Sequence, residues 1–155
     1  MTSCKERLAS HFQEKGVTFE ELDFPEVYTA QEVAARLHVP GRQLAKVVIA
    51  KVEGELAMLV LPAPARVDFS RLKEALGAEK VELAHEREFA ERFPDCEVGA
   101  MPPFGGLYQV PTYMDETLME AGEIVFLAGT HNEALKVSYA DYERLAQPVV
   151  LNFAR

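Results

Sequence analysis

The chain has 155 residues, 48% of them apolar and 26% charged, with a formal net charge of −9. That length suits one domain over residues 1–155 with a sizeable core, and the composition is that of a soluble globular protein. The acidic balance argues against indiscriminate nucleic-acid binding; no apolar run approaches the ~18 residues needed to span a bilayer, and the Met1–Thr2–Ser3–Cys4 start has no apolar signal core behind it, so a cytoplasmic protein without membrane contact is expected.

Residues 5–15 predict a helix, with Leu8 and Phe12 spaced i, i+4. Residues 19–24 predict a short strand ending at Pro25. Thr29–Ala30–Gln31–Glu32 is a capping-box pattern that opens a helix to Leu37, stopped by Val39–Pro40–Gly41. Residues 45–52 and 55–61 predict two strands turning at Glu53–Gly54. Both are apolar on both faces apart from lysines, so the hairpin belongs inside a sheet. Phe69, Leu72, Ala75 and Leu76 mark a helical face. A strand at 81–83 and a helix at 86–93 follow. Strands are expected at 107–114, interrupted at Pro111, and at 124–127 and 135–137. Ser138 caps a last helix carrying Tyr142 and Leu145, and residues 149–153 close the sheet. Strands and helices are interspersed without regular βαβ alternation, which predicts an α+β fold with a mixed sheet and helices packed on it.

Val98–Gly99–Ala100–Met101–Pro102–Pro103–Phe104–Gly105–Gly106 holds three glycines and two prolines and no charge. A solvated loop is usually polar. Here the peptide groups themselves are the expected functional surface, the alternative being a rigid connection between strands. Lys46 opens an apolar strand face shared with Val48, Ala50 and Val52, where it either snorkels to water or serves as a fixed positive charge at a site. Asp115 is either a helix cap or a site carboxylate. Tyr28 is either a core aromatic or a pocket lid. Gly129–Thr130–His131 is a plausible pocket wall at a strand end.

Neither the two cysteines, Cys4 and Cys96, nor the four histidines show metal-ligand spacing, so reduced thiols and no metal are expected. No nucleophile–base arrangement stands out, and no cofactor motif is present. The charge is uneven. Arg36, Arg42, Lys46, Lys51, Arg66, Arg71 and Lys73 face only Glu53, Glu55 and Asp68 in their segment, a local balance of +4. That segment is either a phosphate-binding face or a set of solvated charges with no common direction.

Tyr28–Thr29–Ala30–Gln31–Glu32–Val33–Ala34, Leu44–Ala45–Lys46–Val47–Val48, Leu61–Pro62–Ala63, the loop from Val98–Gly99 to Gly105, Asp115 and Gly129–Thr130–His131 resemble, in this order, the YbaK family, whose domain is also inserted in bacterial prolyl-tRNA synthetases. The resemblance covers nearly the whole chain. It implies a curved, partly barrel-like mixed β-sheet flanked by helices. It implies hydrolysis of a mischarged aminoacyl-tRNA, commonly a tRNA for proline carrying a smaller amino acid. Lys46 matches the family lysine near the tRNA terminus. Gly99, Ala100, Met101, Pro102 and Pro103 match the loop whose backbone holds the substrate. Tyr28, Asp115, Gly129, Thr130 and His131 are the remaining expected substrate contacts. No metal or cofactor is needed, because backbone N–H groups can hold the oxyanion and the ribose hydroxyl can orient the water. With no synthetase body in the sequence, action in trans on the 3′ end of aminoacyl-tRNA is expected, free or recruited by a prolyl-tRNA synthetase. The alternatives are a non-catalytic aminoacyl-tRNA or synthetase binding module, and a small-molecule hydrolase using the same pocket.

Overall fold

The computed structural model describes residues 3–23 and 30–155. The elements run α1 (Cys4–Glu14), β1 (Glu20–Asp23), α2 (Ala30–Leu37), β2 (Ala45–Val52), β3 (Glu55–Pro62), α3 (Phe69–Leu76), β4 (Val81–Leu83), α4 (Glu86–Phe89), β5 (Thr112–Asp115), β6 (Glu123–Leu127), β7 (Glu133–Ser138), α5 (Tyr139–Ala146) and β8 (Val149–Leu151). No helix among the described residues is long and apolar enough to cross a membrane.

The strands form two sheets. The larger has the order β4-β2-β3-β5-β8, with β2 and β3 antiparallel and interior and β5 and β8 added in parallel; the smaller has the order β1-β7-β6. A bridge between Leu44 and Val125 joins them. The expected curved sheet is thus mixed and folded over, and it is not a closed barrel. The interior place of the β2–β3 hairpin follows from its apolar sequence. Ala57 through Leu61 is fully buried, as a strand covered on both faces must be.

Local signals set the helix ends. Ser138 accepts from Asp141 N–H, and Asp68 accepts from Ser70 and Arg71 N–H. Two predicted elements differ. The helix at 86–93 is one α turn followed by a 3-10 turn at Ala90–Arg92. The predicted strand at 107–114 begins only at Thr112. Gly105–Tyr108 is instead a 3-10 turn, because Thr112 Oγ1 accepts from Gly105 N–H and Gly105 C=O accepts from Val110 N–H, which curls the chain back.

The main core lies between the sheets and α1 and α5. Phe104, at the end of the Gly/Pro loop, sits at its centre, with ring centroids 5.7 Å from Phe12, 5.5 Å from Phe126 and 5.3 Å from Tyr142. Tilted and edge-on pairs of this kind add roughly 0.5–1.5 kcal/mol each beyond burial. The Tyr142 hydroxyl donates to Pro103 C=O at 2.9 Å. The loop is therefore anchored in the core at one end and exposed at the other.

Candidate active site

The exposed end of the loop is Glu97–Val98–Gly99, and it is laced to the turn after β6. Glu97 N–H donates to Gly129 C=O at 2.7 Å, Gly129 N–H to Ala100 C=O at 2.8 Å, and Ala100 N–H to Glu97 C=O at 3.0 Å. His131 adds two more ties. Its backbone N–H donates to Glu97 Oε1 at 2.8 Å, and its ring Nε2 lies 2.8 Å from Val98 C=O, which accepts. Gly99 has φ +87, a conformation that only glycine adopts freely. A Cβ there would also stand 3.3 Å from the His131 ring.

These ties leave specific groups free. The N–H groups of Gly99 and Met101 have no acceptor among the described residues, while that of Ala100 is used. Pro102 and Pro103 carry no N–H. The loop thus holds two N–H groups with no acceptor among the described residues, one at exposed Gly99 and one at buried Met101, on a backbone fixed from both sides. The Thr130 hydroxyl is buried without a protein partner. Ala100, Met101, Pro102 and Pro103 are themselves buried, so they support the loop from below.

Lys46 is the second residue of β2, opposite Leu61. It shares its strand face with Val48 and Ala50, which pack in the cluster of Leu59, Leu61, Leu72 and Phe153. Two residues earlier, Leu44 bridges Val125 in parallel. From that bridge both chains run the same way, to Lys46 on one side and to Gly129 on the other. At ~3.3 Å per residue, Gly129 lies within roughly 13 Å of the bridge; the β2 face that carries Lys46 packs in the cluster of Leu59 and Leu61, whereas Met101 and Phe104 of the loop pack in the cluster of Ala45 and Ile49 on the other face. Burial, and then the positive charge of Arg66, hold the Lys46 ammonium below the usual lysine range. It has no ion-pair partner among the described residues.

The other expected contacts divide. Tyr28 lies outside the described residues. Asp115 is buried, and its carboxylate is already taken. Oδ1 accepts from Phe153 and Ala154 N–H, both at 2.9 Å, and Oδ2 accepts from Thr117 N–H and the Thr117 hydroxyl. None of these bonds goes to the Gly99 loop or to 129–131, so Asp115 serves as the helix cap and as a clasp on the C-terminal segment. The basic segment does not form one face. Lys51 lies on the opposite strand face from Lys46 and is neutralised by Glu82 and Glu88. Sequence reasoning missed Glu97. Its only signal was a carboxylate two residues before Gly99.

A Gly/Pro loop with N–H groups that lack an acceptor, and a lysine without an ion-pair partner, both among the described residues, are groups suited to an acyl ester and its phosphate. The sequence pattern of the aminoacyl-tRNA editing domain matches residues 24–145. The multifunctional Ser/Thr-tRNA deacylase ProXp-y of Escherichia coli K12 is 30% identical over 97% of this chain and 92% of its own. The proline–tRNA ligase of Thermosipho africanus is 31% identical over 57% of this chain and 16% of its own. A crystal structure of a candidate trans-editing enzyme for prolyl-tRNA synthetase superposes with a TM-score of 0.83 at 20% identity, covering 100% of this chain and 99% of that one. The chain belongs to the aminoacyl-tRNA editing domain family. Its chemistry is accordingly that of an aminoacyl-tRNA deacylase.

Proposed function

We propose that this chain acts in trans on the 3′ end of mischarged tRNA, tRNA for proline included, and removes a small amino acid. The Escherichia coli relative makes serine and threonine the first amino acids to test. The observation that carries the reading is the pair of unpaired N–H groups at Gly99 and Met101 on a loop tied at both ends. Water attacks the ester carbonyl, oriented by the neighbouring ribose hydroxyl. The oxyanion that develops is held by the two N–H groups, and the ribose oxygen leaves with a proton derived from the water. Donors fixed beforehand contribute about a hundredfold or more each to such a step. Lys46 supplies positive charge to the terminal phosphate, a role suited to an ammonium with no ion-pair partner among the described residues. His131 and Glu97 position the loop, and Thr130 offers an unused hydroxyl to the amino acid.

The test is a panel of mischarged tRNAs incubated with a catalytic amount of the protein. Release of amino acid over many turnovers, strongest for small residues, is expected. Saturable binding without release would make the chain a non-catalytic module.

A further inference from the structure

We propose that Cys4 and Cys96 form an oxidisable dithiol site: a peroxide joins them in a disulfide, which displaces the two substrate loops and slows deacylation. The thiols are separated by most of the chain, yet the hydroxyl of Tyr108 lies 3.2 Å from Cys96 Sγ and 3.8 Å from Cys4 Sγ. The hydroxyl that gathers them is itself held in place. Tyr108 donates to Asp95 Oδ1 at 2.9 Å, Asp95 pairs with Arg7 at 3.2 Å, and the Arg7 guanidinium lies 4.9 Å from the centre of the Tyr108 ring.

The pair touches both substrate loops. Cys96 is three residues before Gly99. Cys4 packs on the backbone of Gly129, so closely that a Cβ on Gly129 would fall 2.5 Å from Cys4 Cβ and 3.1 Å from its sulfur. A groove of about 440 Å³, lined by Ser3, Asp95, Cys96, Glu97, Gly129 and Thr130 among others, runs alongside and admits a small oxidant.

The roles divide by position. Cys4 is the first residue of α1, where a helix N-terminus favours a thiolate. The neighbouring Cys96 thiol and Tyr108 hydroxyl outweigh burial and hold it below the usual thiol range. Cys96, which lines the groove, attacks one oxygen of hydrogen peroxide and gives up its proton. The O–O bond breaks, an S–O bond forms, and the departing hydroxide takes a proton to leave as water. The Cys4 thiolate then displaces the sulfenic oxygen of Cys96, the S–S bond forms, and that oxygen takes up a proton and leaves as a second water. Two thiols are oxidised and one peroxide is reduced. Reversible bridges of this kind are the ones a reducing compartment allows.

The proposal rests on the deacylase reading only for its effect on rate. In the test, the full chain is treated with hydrogen peroxide and divided. One part is mapped by peptide mass under non-reducing conditions. A second is assayed for deacylation before and after dithiothreitol, and a third for amide exchange at residues 97–101. A Cys4–Cys96 peptide, a rate lowered about tenfold or more as expected for a misplaced site, restoration by thiol, and altered exchange are expected. Cys96→Ser should keep the basal rate and lose the peroxide response; Cys4→Ser is the second variant for the same purpose. Absence of the linked peptide overturns the proposal. So does a fully linked protein with unchanged exchange and rate. If the reduced protein deacylates nothing, the functional reading fails, and the peptide map and exchange still decide the redox site.

Discussion

The imidazole of His131 covers Gly99 and holds the carbonyl of the residue before it, so that the two substrate segments form one clamped unit. His131→Ala removes one hydrogen bond and a packing surface from an otherwise intact loop. It should lower kcat by about tenfold with little change in tRNA affinity, since loop placement acts on the chemical step. His131→Asn, which can still donate, should recover part of the loss. Steady-state kinetics separates the two parameters, and a change in KM alone would assign His131 to binding.

Lys46→Ala should abolish most deacylation and leave the melting temperature nearly unchanged, because the ammonium has no ion-pair partner to lose among the described residues. Its pKa also predicts a pH signature. Burial and the Arg66 charge lower it, so the cation is present at neutral pH and is lost at a lower pH than an ordinary lysine. Affinity for a non-hydrolysable aminoacyl-tRNA analogue should fall on that alkaline limb. Arg66→Ala should move the limb to higher pH.

The charges of the basic segment should not act alike. Arg66→Glu places an acid beside Lys46 and should weaken tRNA binding and flatten its salt dependence. Lys51→Glu loses two carboxylate partners on the other face and should leave tRNA affinity within about twofold. Filter binding at several salt concentrations measures both.

Asp115 belongs to stability. Burial opposes its ionisation, but hydrogen bonds from Thr117, Phe153 and Ala154 outweigh that and hold its pKa below the usual carboxylate range. A depressed folded value contributes stability above the unfolded pKa and loses it as pH falls through the folded one. Asp115→Ala should cost about 2–4 kcal/mol at neutral pH, since it strands buried donors. Denaturant melts should show that difference shrinking in acid.

The β2–β3 hairpin, α3 and the Ser138 cap were legible because each is a local signal: two apolar strands about one Glu–Gly turn, a helical apolar face, a hydroxyl before a helix. The turn at Gly105–Tyr108 was not, because a hydrogen bond to Thr112, seven residues on, overrides the apolar run that read as a strand. The Gly99 loop was legible from composition and family resemblance. Its clamp was not, since Glu97 and His131 are 34 residues apart, and the Cys4–Cys96 contact depends on where α1 docks. The partition of Lys46 and Lys51 follows strand parity, but the acids that neutralise Lys51 come from β4 and α4 and could not be read from its neighbours.

The central claim is that backbone N–H groups of the Gly99 loop carry the chemical step. Single-turnover deacylation, with protein in excess over mischarged tRNA, tests it directly on Gly99→Val and Met101→Leu. At φ +87 and 3.3 Å from His131, a β-branched side chain must distort the donors. The expected result is a rate constant about a hundredfold lower for Gly99→Val with tRNA binding retained, and a near-normal one for Met101→Leu, which keeps the main chain. A normal rate constant in Gly99→Val, or an aminoacyl group trapped on a side chain of the protein, would contradict the account.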